Sequence, residues 1–166
     1  MKGKFVCIGG RPGSGKTTLS QKIQQITNAK VISRDNVFRK LFKKPNPHST
    51  EHKSLAFKEC LRLVKLSSRQ KEYLVILDMP FSRNDEIIGA YHLAKEIDAK
   101  WIFIYLKCPE YIARLRILKQ KNHLVIPQRR INTRTEPLPK SVNIRILDSS
   151  KNIETYLGKV LKHITT

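Results

Sequence analysis

Gly10-Arg11-Pro12-Gly13-Ser14-Gly15-Lys16-Thr17, with Thr18 directly after it, is the stretch on which the fold turns. It matches G-x-x-x-x-G-K-[S/T] at every fixed position. The glycines let the backbone curl so that successive N–H groups face inward, and a helix starting there adds the positive end of its dipole. The flanks agree. Lys4–Gly9 upstream is short, apolar and strand-like, and Leu19, Ile23 and Ile26 downstream recur at helical spacing. A glycine-rich turn of purely structural use has no need of Lys-Thr at its end. The stretch therefore reads as a phosphate-binding loop, or P-loop, with Gly10 through Thr18 around the phosphates of ATP or GTP. Lys16 is expected to reach the β- and γ-phosphates, and the Thr17 hydroxyl to ligate Mg²⁺.

Outside this loop, short strand-like runs alternate with longer helical ones. Lys4–Gly9, Lys30–Ser33, Tyr73–Asp78, Lys100–Lys107 and Val142–Asp148 read as strands. Several are apolar almost throughout, which suits strands covered on both faces of a parallel sheet. Helices are expected over Lys16–Thr27, Asp35–Lys43, Thr50–Gln70, Asn84–Ile97, Pro109–Lys121 and Lys151–Ile164. Leu55, Phe57, Leu61, Val64 and Leu66 give the long middle helix a broad apolar face. The alternation predicts an α/β fold of P-loop NTPase type: a five-stranded, mostly parallel sheet flanked by helices, with ligands beyond the carboxyl ends of the strands. The whole of 1–166 reads as a single domain, with a basic lid over about 114–141. Within it, Asn122–Ser141 holds three prolines and no clean periodicity, which favours a functional loop.

At 166 residues with 40% hydrophobic content, the chain is large enough for one core. No apolar run approaches the ~20 residues of a membrane span, and the apolar run near the start is too short for a signal peptide. The expected location is the cytoplasm, with no membrane partner. Cys7, Cys60 and Cys108 form no CxxC pair and read as small buried hydrophobes. His48 and His52 read as polar residues of a loop and a helix start.

The formal charge of +20 is unevenly spread. Residues 34–72 carry 11 basic and 4 acidic side chains, residues 107–140 carry 9 and 2, and the segment between is net −2. Such an excess predicts attraction to a polyanion. The aromatics within these blocks (Phe38, Phe42, Phe57, Tyr111) are too few to predict a base-stacking platform.

Two aspartates extend the site from binding to chemistry. Asp78 ends an apolar strand, where a carboxylate orients Mg²⁺ beside a P-loop. Asp35 follows the second strand. It reads either as the base that accepts the proton of an attacking hydroxyl or as the N-cap of a helix starting at Asn36.

The segments GGRPGSGKTT, ISRDNVFRKLF, VILDMPF, IYLKCPEYIARLR and TRTEPLP stand in the order found in a known group. The chain resembles the polynucleotide-kinase-like group of P-loop kinases, which includes zeta-toxin-like and small AAA-type relatives, from about Lys4 to Ile164. The resemblance implies that Lys16 and Asp35 are catalytic, Asp35 as general base, and that Asp78 and Thr17 serve the metal. It implies acceptor contacts from Arg34 and the region of Arg39, and a lid arginine, Arg116, on the transferring phosphoryl group. Two positions depart from the group. Phe38 stands where an acceptor-side arginine is usual, and Gln120 replaces a second lid arginine, leaving Arg129, Arg130 and Arg134 as alternative donors. The activity implied is ATP-dependent transfer of the γ-phosphate to a hydroxyl, with GTP as a possible donor. The 5′-hydroxyl of a polynucleotide is the first acceptor, a nucleoside, sugar or antibiotic the alternative. A non-kinase NTP-binding module is the third reading.

Overall fold

The computed structural model describes residues 3–44, 46, 48–70, 73–119 and 137–165. Strands β1 (Lys4–Gly10), β2 (Lys30–Ser33), β3 (Leu74–Asp78), β4 (Lys100–Lys107) and β5 (Ile144–Asp148) form one sheet in the order β2-β3-β1-β4-β5. Every pairing in it is parallel. Helices α1 (Lys16–Thr27), α2 (Arg34–Leu41), α3 (Thr50–Arg69), α4 (Asn84–Glu96), α5 (Glu110–Lys119) and α6 (Glu154–Thr165) complete the α/β architecture that the alternating pattern predicts. The expected lid falls largely on residues 120–136, with Gln120, Arg129, Arg130 and Arg134, outside the described residues.

The strand period of two sorts the core into two layers. On β1, Phe5 and Cys7 face one way, toward Val64 of α3 and Ile87 and Ala90 of α4. Val6 and Ile8 face the other, toward Leu19 and Ile23 of α1 and Leu157 and Val160 of α6. Being covered on both faces and paired on both edges, β1 is buried along its whole length. All three cysteines are buried and free, as expected. Lys4 is buried too. Its ammonium donates to the Ile164 carbonyl at 2.6 Å, placing a cation at the negative end of α6.

Some apolar faces differ from expectation. On α3 the buried stripe is Ala56, Cys60, Val64 and Ser67, while Leu55 and Leu66 stand exposed. Phe57, Leu61 and Val64 of the expected face do pack on the core, so Leu55 and Leu66 are the two that lie outside it. Ile26, near the end of α1, is also exposed. The helix after β2 starts at Arg34 with Ser33 preceding it, so Asp35 lies in the first turn and is not the N-cap. His52 stacks on Phe42 with centroids 3.9 Å apart, and its Nδ1 accepts from the Asn46 N–H.

Register sets the site. Asp78 lies level with Ile8 of β1 on one side and Ser33 of β2 on the other. The strand ends that launch the P-loop, the Arg34-Asp35 turn and Asp78 therefore open onto one edge of the sheet.

Candidate active site

The P-loop leaves β1 at Gly10, whose N–H donates to the Pro80 carbonyl at 3.2 Å, tying the loop to the segment after β3. Two of its glycines are required by geometry. Gly13 has φ +76°, and a Cβ there would stand 2.4 Å from the Ala113 carbonyl oxygen on α5. Gly15, at φ +92°, caps α1 in the left-handed region, with its nearest would-be neighbour, the Tyr156 hydroxyl, 3.9 Å away. Inside the loop the Ser14 hydroxyl is buried and is the one such side-chain atom without a partner among the described residues. An orphaned buried hydroxyl in the phosphate-binding motif is what a phosphate oxygen would satisfy.

Lys16 follows as the first residue of α1. Its ammonium donates to the Arg11 carbonyl at 3.0 Å, folding back over the loop it is expected to serve. Burial lowers its pKa, while the charges of Asp78 and Asp35 oppose that shift. The Thr17 hydroxyl donates to Asp78 Oδ2 at 2.9 Å, and Ser20 adds a longer contact to the same oxygen at 3.4 Å. Asp78 is only 4% exposed. Its carboxyl is pushed above the usual carboxylate range by burial, against the pull of Lys16 and Thr17. A buried carboxylate held at such a cost, already bonded to the hydroxyl expected at a metal, fits a divalent cation better than a lone turn. Among the described residues no larger His/Cys/Asp/Glu cluster stands ready for a metal, so phosphate oxygens and water would complete the ligand set.

Asp35 is exposed at the start of α2, and its charge acts on both Lys16 and Asp78. Arg34 beside it is recessed. Its side chain is 14% exposed, and its guanidinium faces the Glu86 carboxylate at 3.8 Å, with no hydrogen bond among the described residues. Glu86, at the start of α4, is buried and also accepts from the Arg83 N–H at 3.2 Å. Arg39 does not join this group. It turns back along its own helix to the Asp35 carbonyl and to Asn36. Phe38 instead packs edge-on to Phe42, which in turn stacks on His52.

The segment between Asp78 and Glu86 is under strain. Phe81 holds φ +50°, which costs a side-chain-bearing residue about 1–2 kcal/mol. Complete burial and an edge-on contact with Phe103 at 4.9 Å offset it. Arg116, expected at the transferring phosphoryl group, is engaged elsewhere. It donates to the carbonyls of Ser150 and Lys151 and to Cys108 Sγ.

Hydrogen bonds and charges thus link Lys16, Thr17, Asp78, Asp35 and Arg34, while the hydrogen bonds of Arg39 and Arg116 go to other partners. Sequence reasoning missed Glu86 and Ser20. Ser14 lies within the motif and was expected at the phosphates. Glu86 left a local signal as an acidic residue in the first turn of a helix, but none of its link to Arg34.

Comparison with known proteins agrees with the fold. An APS kinase of Mycobacterium tuberculosis, solved with AMPPNP and APS, shares the fold at TM-score 0.78 and 15% identity, over 99% of each chain. A gluconokinase from Sinorhizobium meliloti 1021 superposes at TM-score 0.73 and 16% identity, over 98% of this chain and 91% of that one. A sugar kinase from a Janibacter species does so at 0.73 and 17%, over 96% and 93%. No curated protein matches the sequence. No helix among the described residues is long and apolar enough to cross a membrane. The family described as AAA domain matches residues 5–136, four-fifths of the chain, and the protein belongs to that family as a kinase-like P-loop domain.

Proposed function

We propose that the protein is an ATP-dependent kinase whose acceptor is the hydroxyl of a small molecule bearing an anionic group. The carrying observation is Arg34. A recessed guanidinium with unused donors, next to an exposed carboxylate and across from the P-loop lysine, suits one compact anionic acceptor. The neighbours agree in kind: one was solved with APS, and others are a gluconokinase and a sugar kinase.

In this reading residues 1–166 act as one kinase domain. The Gly10–Thr18 backbone and Lys16 hold the triphosphate, with Ser14 Oγ on a phosphate oxygen. Asp35 takes the proton of the acceptor hydroxyl as its oxygen attacks the γ-phosphorus, and the bond to the β-γ bridging oxygen breaks to release ADP. Thr17 and Asp78 would hold Mg²⁺, which supplies charge neutralisation on the phosphate oxygens when bound. Arg34 orients the acceptor, and Glu86 keeps Arg34 in place.

A second acceptor, the 5′-hydroxyl of a polynucleotide, is favoured by the exposed Lys40, Lys43 and Lys44 beyond Asp35. Their charges lie on the surface, where a backbone of several phosphates would meet them. Incubation with γ-labelled ATP and Mg²⁺ separates the two readings, using a mixture of anionic hydroxylated metabolites in one arm and 5′-hydroxyl DNA and RNA oligonucleotides in the other. Label in the metabolite arm that is lost in Arg34→Ala supports the proposal. Label on oligonucleotide ends alone overturns it in favour of the second acceptor. ATP binding with label in neither arm reduces the protein to an NTP-binding module.

A further inference from the structure

Arg116 makes contacts that its expected role does not explain. From α5 its Nη2 donates to the Ser150 carbonyl at 3.2 Å and the Lys151 carbonyl at 3.4 Å, while Nη1 contacts Cys108 Sγ at 3.8 Å. Both carbonyls belong to the connection between β5 and α6, at the carboxyl edge of the sheet. That connection is itself tied down. The Ser149 N–H donates to the Lys107 carbonyl at 2.9 Å, and the Ser150 N–H to Asp148 Oδ1 at 2.9 Å. It leads directly into α6, whose Tyr156 hydroxyl stands behind Gly15 of the P-loop. Ala113, three residues before Arg116 on α5, stands behind Gly13. The charge of Arg116 also reaches Tyr156, where it opposes the rise that burial imposes on the phenol.

The P-loop is therefore backed by α5 at Gly13 and by α6 at Gly15, and Arg116 bonds α5 to the connection that leads into α6. Nη2 meets both carbonyls while Nη1 turns to Cys108, a spread over two nitrogens that suits a planar guanidinium, whereas an ammonium is a point donor. We propose that Arg116 is a positioning residue for nucleotide binding: by bonding α5 to the β5–α6 connection it sets the P-loop's back wall, and it does not stabilise the transferring phosphoryl group. The inference rests on nucleotide binding at the P-loop and is independent of the acceptor.

The test is the split between affinity and turnover in Arg116→Ala and Arg116→Lys. The affinity probe is AMPPNP in the presence of Mg²⁺. Turnover is measured as ADP formation from ATP without acceptor, and amide hydrogen exchange is followed over residues 148–152. Positioning predicts that Arg116→Ala weakens AMPPNP binding about tenfold, raises KM for ATP to match, lowers kcat less than about threefold, and speeds exchange in the β5–α6 connection. Arg116→Lys moves the same way by less. Unchanged AMPPNP affinity with kcat down about a hundredfold overturns the inference and returns Arg116 to the phosphoryl group. Should Arg116→Ala fail to fold, the lysine variant decides between the same two outcomes. Because AMPPNP affinity needs no acceptor, a failure here is distinct from a failure of the proposed reaction.

Discussion

Replacing Gly13 by alanine probes the P-loop where it rests on α5. The added Cβ would stand 2.4 Å from the Ala113 carbonyl oxygen, and the contact must open by about 1 Å to reach an ordinary 3.4 Å. Holding alanine at φ +76° costs about 1–2 kcal/mol, and relieving the overlap about 1–3 more. Gly15→Ala carries the first cost without the second, because its Cβ meets nothing closer than 3.9 Å. Gly158→Ala is the opposite control. That glycine is exposed within α6 with nothing within 4 Å, so alanine there should stabilise by about 0.5–1 kcal/mol. Urea unfolding should thus rank the variants Gly158→Ala, wild type, Gly15→Ala and Gly13→Ala from most to least stable, with Gly13→Ala down by about 2–5 kcal/mol. In thermal unfolding each kcal/mol corresponds to about 2–4 °C. AMPPNP affinity should fall with Gly13→Ala, since the loop must move off α5. A Gly13→Ala protein as stable as Gly15→Ala would refute the packing of the loop on α5, and with it the wall argument for Arg116.

Three further expectations follow from the burial pattern. Asp78→Asn should stabilise the nucleotide-free protein at neutral pH yet remove the extra stability conferred by Mg²⁺ and AMPPNP. The sign comes from the raised Asp78 pKa. The penalty for its charge is absent below the unfolded value of 3.8, grows as pH rises from there, and is complete above the folded value. The advantage of Asp78→Asn in melting temperature should therefore appear at pH 7 and vanish near pH 3, and an advantage independent of pH would contradict it. Ile8→Ala, deleting a fully buried side chain on the strand that launches the P-loop, should cost about 2–5 kcal/mol in urea unfolding. The thiols should resist DTNB until the chain unfolds, because all are buried and burial raises Cys60 to about 12. Rapid reaction of any native thiol would count against the described core.

Much of the fold was legible because its signals are local. An apolar run ending in a P-loop, and strands that end at Asp78 and Asp148, need no partner to be recognised. The apolar faces of helices were less legible. A hydrophobicity pattern favours Leu55 and Leu66 over Ala56, Cys60 and Ser67, but the smaller residues are the ones that α3 buries. The charge of Asp35 reaches Lys16 and Asp78, and its second reading as an N-cap failed because the helix starts one residue earlier. What stayed hidden was non-local. Arg34 and Glu86 lie 52 positions apart and meet because β2 and β3 are neighbours. Arg116 bonds to backbone carbonyls, and a carbonyl leaves no mark on residue identity. Net charge pointed to a polyanion, yet the cation nearest Asp35 in sequence is recessed and Arg39 is spent on its own helix.

In the proposed reaction Asp35 is the base that serves a nucleotide held by the P-loop. Phosphoryl transfer from γ-labelled ATP and AMPPNP affinity, measured together on Asp35→Asn, test it. The prediction is a loss of transfer of about 10²–10⁴-fold with AMPPNP affinity within about twofold of wild type. Transfer that survives at near wild-type rate, or an affinity that collapses with it, would contradict that role.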